Sequence, residues 1–158
     1  MTDVRYAPPQ ADLGDGPMEA VAAAPPLWNP NAAASWSLLL TPVFGAWLHW
    51  KNWQMLGDHE RARTAGRWVV AAVAMLFALI GLAAMSEKAA AFVRLLNFAF
   101  LIAWYYAAAK PQARFVLGHY GKNYPRRGWA LPILVAIDVI FALLFAIGLV
   151  AVMLGARA

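Results

Sequence analysis

The sequence predicts an all-α integral membrane protein: a helical bundle of three to four transmembrane helices behind a disordered N-terminal tail. Composition is the first reason. Of 158 residues, 63% are hydrophobic and only 13% are charged, whereas soluble domains are roughly half apolar and about a quarter charged. Long uncharged segments are the second reason, and a Pro-rich beginning is the third. The absence of Cys excludes disulfides and thiolate metal sites.

Residues 1–33 differ in composition from the rest of the chain. They contain six Pro and four acidic residues against a single Arg. Proline removes amide donors and restricts φ, and few large apolar side chains are present to offset the entropy of ordering. We therefore expect residues 1–33 to be a disordered, extended tether, followed by a transmembrane domain over residues 34–158.

Three segments have the length and apolarity of membrane spans. Residues 68–85 form an 18-residue run without a charged side chain, and as a helix this run is about 27 Å long, close to the ~30 Å hydrocarbon core. Residues 90–109 form a second predicted span, which ends in Trp104, Tyr105 and Tyr106, the aromatic residues typical of headgroup depth. Residues 129–154 form a third, which is long enough to require tilt.

The segment 34–50 is ambiguous. It is uncharged, but Pro42 and Gly45 interrupt it, and Trp36, Trp47 and Trp50 recur at helical spacing. This pattern fits a fourth span, a helix lying in the interface, or a segment that enters the membrane partway and returns. The sequence leaves these alternatives open.

Basic residues indicate the orientation of the chain. The hydrophilic loops 51–67 and 110–128 carry four and five Lys or Arg residues, respectively. The positive-inside bias places both loops in the cytoplasm, whichever alternative holds for residues 34–50. With four spans the tail and the C-terminus lie outside, whereas with three spans the tail stays inside.

Asp138 is the only charged residue of the third span. A carboxylate at membrane depth costs about 2.5–3.5 kcal/mol on insertion scales, so we expect Asp138 to be protonated, paired or next to a wet cavity. Asn97 and Arg94 on the preceding span are the expected partners. The functional hypothesis is an ion or proton relay, or a docking site for another membrane protein; the alternative is a hydrogen bond that fixes helix packing.

The loop 110–128 mixes basic and aromatic side chains. Its basic residues predict contacts with anionic lipid headgroups, or a solvated loop that sets topology; these residues are Arg114, Lys122, Arg126 and Arg127. No nucleic-acid-binding module surrounds them. The three His residues are scattered, and no nucleophile–base set is recognisable, so we expect no metal, no cofactor and no enzymatic activity.

Two short stretches carry a resemblance. Residues 6–13, YAPPQADL, resemble a Pro-rich N-terminal signature of several groups of small bacterial polytopic membrane proteins. Residues 33–53, AASWSLLLTPVFGAWLHWKNW, are similar to a Trp-rich, Pro-centred entry helix of bacterial inner-membrane families. The resemblance implies a multi-pass protein of the bacterial inner membrane and brings no activity or functional residue with it.

These features favour a non-enzymatic protein that acts in the bilayer by packing its helices against a membrane-protein partner or a second copy of itself. Such a protein would be an accessory subunit, an assembly factor, or an immunity-type protein that blocks a membrane-acting toxin. The alternative is a small oligomeric transporter or channel in which Asp138 relays ions or protons.

Overall fold

A computed structural model describes residues 24–83 and 87–155. Within these ranges every regular element is helical. The non-helical segments contain one isolated backbone bridge, between Leu27 and Arg126. The helices are α1 (Pro30–Leu39), α2 (Pro42–Met55), α3 (His59–Ala83), α4 (Glu87–Trp104), a π-helical turn (Tyr105–Ala109), α5 (Lys110–Tyr120) and α6 (Ala130–Gly155).

Three helical segments of this fold are long and apolar enough to cross a membrane: His59–Leu82, Ala91–Tyr120 and Ala130–Met153. Each overlaps one of the three segments that the sequence predicts as spans. The first begins earlier than predicted, because the helix continues through the basic residues that precede Trp68. The described residues therefore form a helical fold with three candidate membrane-spanning segments.

The predicted tail divides at residue 24. Residues 1–23 lie outside the described residues. Residues 24–33 are packed, contrary to the prediction of a disordered tether: Leu27 and Trp28 are buried, and α1 begins at Pro30. The backbone of Leu27 hydrogen-bonds to Pro125 and Arg127, so this segment lies against the loop that precedes α6.

Residues 30–55 form a hairpin of two antiparallel helices rather than one helix. Only Leu40 and Thr41 separate α1 from α2. The two helices pair in a constant register: Gly45 lies against Ser37 and Ala33, and the ring of His49 bonds to the carbonyl of Pro30 at 3.2 Å. Nearer the two ends of the hairpin, the side chain of Asn52 bonds to the backbone of Trp28. Both ends of the hairpin therefore lie at one end of the bundle.

Local sequence explains this break. Leu40 is the C-cap residue that follows α1. Thr41 is the N-cap of α2, and its hydroxyl accepts a hydrogen bond from the amide of Phe44 at 3.4 Å. Pro42 occupies the first turn of α2, where its missing amide costs no helical bond. The same Pro would interrupt a continuous helix, because its ring clashes with the preceding turn.

The hairpin tip reaches the middle of the bundle. Leu40, Thr41 and Pro42 share a cavity with Leu76 of α3 and Asn97 of α4. Leu76 lies eight residues after Trp68, about 12 Å along the helix, which is near the centre of the apolar part of α3. Residues 34–50 therefore belong to a helical hairpin that turns back inside the bundle, rather than to one continuous helix.

The other helices surround this hairpin. Helix α3 packs along α2, and α4 packs on α3. Helix α6 contacts the hairpin near its own beginning, where the rings of Trp36 and Trp129 have centroids 6.5 Å apart. Helix α4 continues through the π-helical turn into α5, so residues 87–120 form one helical rod about 50 Å long. Part of the predicted loop 110–128 is therefore helical as far as Tyr120, and Gly121 follows it at φ 68°.

Candidate functional site

Asp138 lies on the side of α6 that faces away from the hairpin. The opposite side of α6, which includes Ile133 and Ala136, packs against the hairpin. Asp138 is exposed, as are the adjacent Ile137 and Val139. Within the described part of the chain, its carboxylate makes no hydrogen bond or ion pair. The carboxylate is therefore on an apolar outer surface at the depth of the helical core.

Arg94 and Asn97 lie elsewhere, beside the hairpin tip. They line a cavity of about 270 Å³ together with Ser37 and Thr41. The sequence expectation that they partner Asp138 assumes that α4 and α6 are adjacent. In the structure the hairpin lies between them: Ala34 of α1 packs against a cluster that includes Leu101 of α4, while Ile133 and Ala136 of α6 pack against a cluster of hairpin residues. The structure thus brings Arg94 and Asn97 together and keeps Asp138 apart.

The four basic residues predicted for lipid contact are exposed at the end of the bundle where the hairpin begins and ends. Arg127 stacks over the ring of Trp28 at 4.9 Å, and Arg126 over that of Tyr124 at 5.6 Å. Lys122 and Arg114 are also exposed, on the loop and on α5. Burial raises the pKa of the Tyr124 hydroxyl, so this side chain stays neutral and uncharged beside the arginines.

The second basic segment lies at this same end. The guanidinium of Arg61, at the beginning of α3, stacks over Phe115 of α5 at 4.7 Å. Arg61 also forms an ion pair with Asp58 at 3.5 Å. The segments 51–67 and 110–128 are therefore joined by direct contacts, and together they make one end of the bundle strongly basic.

A buried polar cluster, which no local sequence pattern indicates, joins the two ends of the hairpin to α5. Asn52 donates to the carbonyl of Trp28 at 2.8 Å and to Gln112 Oε1 at 3.3 Å, while it accepts from the amide of Trp28 at 3.1 Å. Gln112 in turn donates to the carbonyl of His49 at 2.8 Å. Buried amides require such partners, but residues 60 positions apart give no local pattern.

His49 completes the polar cluster. It lies on α2, outside the three candidate spans, and burial lowers its pKa to about 4. The neutral ring therefore donates through Nε2 to the carbonyl of Pro30. Its Nδ1 and the indole Nε1 of Trp104 are buried without a partner, with ring centroids 5.3 Å apart. A ring that is 1% exposed cannot reach a substrate, so we interpret the cluster as structural.

No group of three or more His, Cys, Asp or Glu side chains in the described ranges is placed to hold a metal ion. Comparisons with protein-family models, with curated proteins and with solved structures give no match. A functional explanation therefore has to start from two features of the described residues. One is the exposed carboxylate of Asp138 on the apolar helix α6, and the other is the basic, aromatic end of the bundle.

Proposed function

We propose that this chain is a multi-pass protein of the bacterial inner membrane that acts without catalysis, by packing α6 against a helix of a membrane partner. An accessory subunit, an assembly factor or an immunity-type protein would work in this way. The observation that carries the proposal is the exposed carboxylate of Asp138 on α6.

The apolar surroundings of that carboxylate make it energetically costly. Lipid offers no hydrogen-bond donor, so a carboxylate facing acyl chains is either protonated or costs several kcal/mol. The buried amide of Asn52, by contrast, has hydrogen-bond partners within the molecule. A partner helix that donates a hydrogen bond at the depth of Asp138 would remove this cost.

The surroundings of Asp138 provide a packing surface of suitable shape. Residues at heptad spacing share its side of α6 and are all exposed; this outer face of α6 comprises Leu131, Leu134, Asp138, Phe141 and Phe145. Spacing of three and four residues is the pattern of helix–helix packing, and one polar residue within such a stripe fixes register. The partner in this proposal is a transmembrane helix carrying a hydrogen-bond donor.

The proposed orientation follows from the basic end. Positive-inside bias favours the segments 51–67 and 110–128 in the cytoplasm. Because both ends of the hairpin lie at this basic end, residues 24–29 enter from the cytoplasm as well. The C-terminal end of α6 is then on the opposite side of the membrane.

The alternative, a transporter or channel with Asp138 on its pathway, has less support. Asp138 does not line the cavity between α6 and the hairpin, of about 180 Å³, nor the cavity that contains Arg94. A pathway through Asp138 would therefore have to form between copies of the chain.

The proposal is tested by site-specific photo-crosslinking in native membranes. A photo-reactive residue at Phe141, on the outer face, is compared with one at Leu143, which faces the hairpin. We expect a discrete crosslinked product from position 141 alone. That product should be lost in Asp138→Leu and retained in Asp138→Asn, which still accepts hydrogen bonds. A product that persists unchanged in Asp138→Leu, or no product at position 141, overturns the proposal. The mass of the product distinguishes a second copy from another protein.

A further inference from the structure

A cleft at the basic end has the features of a binding site. It lies between α3 and the rod formed by α4 and α5, has a volume of about 230 Å³, and is lined by Arg61, Thr64, Trp68, Ala107, Ala108 and Phe115. We propose that this α3–α5 cleft binds one phospholipid with an anionic headgroup, and that Arg61 and Thr64 hold its phosphate. The inference is independent of the partner proposed for α6.

The cleft is polar at one end and apolar at the other. Trp68 begins the apolar run of α3, so its ring is expected at the boundary between headgroups and acyl chains. Arg61 lies seven residues earlier, about 10 Å further out along the helix. An amphiphile lying in the cleft would therefore place its phosphate near Arg61 and its acyl chain near Trp68, Ala107 and Ala108.

The backbone of the rod contributes to the cleft. Ala107 and Ala108 belong to the π-helical turn. This is the one place in the described chain where a helix changes from α-helical to π-helical hydrogen bonding and then continues as an α-helix. Such π-helical insertions are rare and occur frequently at functional sites. Small side chains at this turn leave space against α3 where large ones would fill it.

The polar part of the cleft is held in position. The Arg61 guanidinium lies between the rings of Trp53 and Phe115, at 5.0 and 4.7 Å. Asp58 pairs with one of its nitrogens, Nη1, at 3.5 Å, which leaves further donors of a group that has five. Arg114, three residues after the cleft residue Pro111, adds positive charge on the same side of α5. A planar, fixed guanidinium beside a hydroxyl suits a phosphate.

Native mass spectrometry of the purified full-length chain in detergent tests the proposal. The chain is titrated with phosphatidylglycerol and, separately, with phosphatidylcholine, and the bound fractions are compared. We expect Arg61→Gln to weaken phosphatidylglycerol binding about fivefold, the effect of one basic residue at ~1 kcal/mol. Thr64→Val should weaken it less. Arg63→Gln is the matched control, because it removes the same charge from the same turn outside the cleft, and it should change binding less than twofold.

A second variant tests the apolar part and does not depend on Arg61, whose removal also affects folding contacts. Ala107→Leu fills the cleft without changing charge and should weaken binding of both lipids, whereas Ala99→Leu, another exposed Ala on the same rod, should not. Equal losses in Arg61→Gln and Arg63→Gln would overturn the proposal, since they indicate a diffuse basic surface. Inorganic phosphate displacing the lipid would also overturn it, because the ligand would then be a free anion.

Discussion

Asn52 of α2 and Gln112 of α5, 60 residues apart, are joined by a side-chain hydrogen bond of 3.3 Å in the fully buried interior. The same Asn52 side chain makes two further bonds to the backbone of Trp28. One amide therefore connects three separate parts of the chain: the segment before α1, the second helix of the hairpin, and the rod.

Asn52→Ala should destabilise the protein, because it leaves buried groups of Trp28 and Gln112 without partners. Each such group costs about 1–3 kcal/mol. For a chain of this size we expect a decrease in Tm of about 4–8 °C for ~2 kcal/mol, measured by thermal unfolding in detergent. Gln54→Ala, at an exposed position two residues away, is the control and should change Tm little. Equal effects of the two substitutions would contradict the assigned role of the polar cluster.

Gly45→Ala should separate the two helices of the hairpin. A Cβ atom there would collide with the hydroxyl of Ser37 and lie 2.7 Å from Trp104 Cη2, so the helices must move apart at a cost of about 1–3 kcal/mol. The expected readout is a lower Tm together with faster proteolysis within the hairpin. Gly81→Ala provides the comparison, since nothing lies within 4 Å of its added Cβ. A Gly45→Ala protein as stable as the Gly81→Ala protein would disprove close packing at the hairpin.

Acid should destabilise the protein through His49. Burial lowers its pKa from 6.5 to about 4, so between these values the unfolded chain takes up a proton that the folded chain does not. The free energy of unfolding is then constant above about pH 7 and decreases as the pH falls toward 4, by about 2 kcal/mol at pH 5. Tm measured at pH 7.5 and pH 5.0 should fall more for the native chain than for His49→Gln. The same pH dependence in both would show that His49 is not the group responsible.

Cysteine labelling should reveal a tail on the basic side. The chain has no Cys of its own, so single Cys residues placed at Pro26, Lys122 and Arg157 report separately to a membrane-impermeant maleimide. A returning hairpin puts positions 26 and 122 on one side and position 157 on the other. If positions 26 and 157 were labelled from the same side, residues 34–50 would cross the membrane and the hairpin would be wrong.

The sequence predicts the structural features that depend on neighbouring residues, and it does not predict those that depend on contacts between distant parts of the chain. The uniform apolarity of residues 68–85 is a local property, and it predicts the apolar part of α3 but not its earlier beginning at His59. The hairpin could not be chosen over a fourth span, because Pro42 is compatible with the first turn of a new helix and with a kinked one. What decides between them is the contact of Gly45 with Ser37, which depends on tertiary packing.

The candidate site shows the same division. The sequence identifies Asp138 as exceptional because a charge in an apolar run is visible locally. Its pairing with Asn97 was expected from sequential helices being neighbours, and the intervening hairpin separates them. The cleft at Arg61 was not foreseen, since its walls come from α3 and from the π-helical turn, which no local pattern predicts.

The order of synthesis gives the hairpin a further consequence. During translation its residues leave the ribosome before α3, the rod and α6, so the helices that its buried side chains pack against are not yet made. In a membrane-inserted chain α1 and α2 would therefore reach their final position only after helices that are synthesised later. Assembly of this protein then requires α3 and the rod to be in place before its N-terminal part can settle.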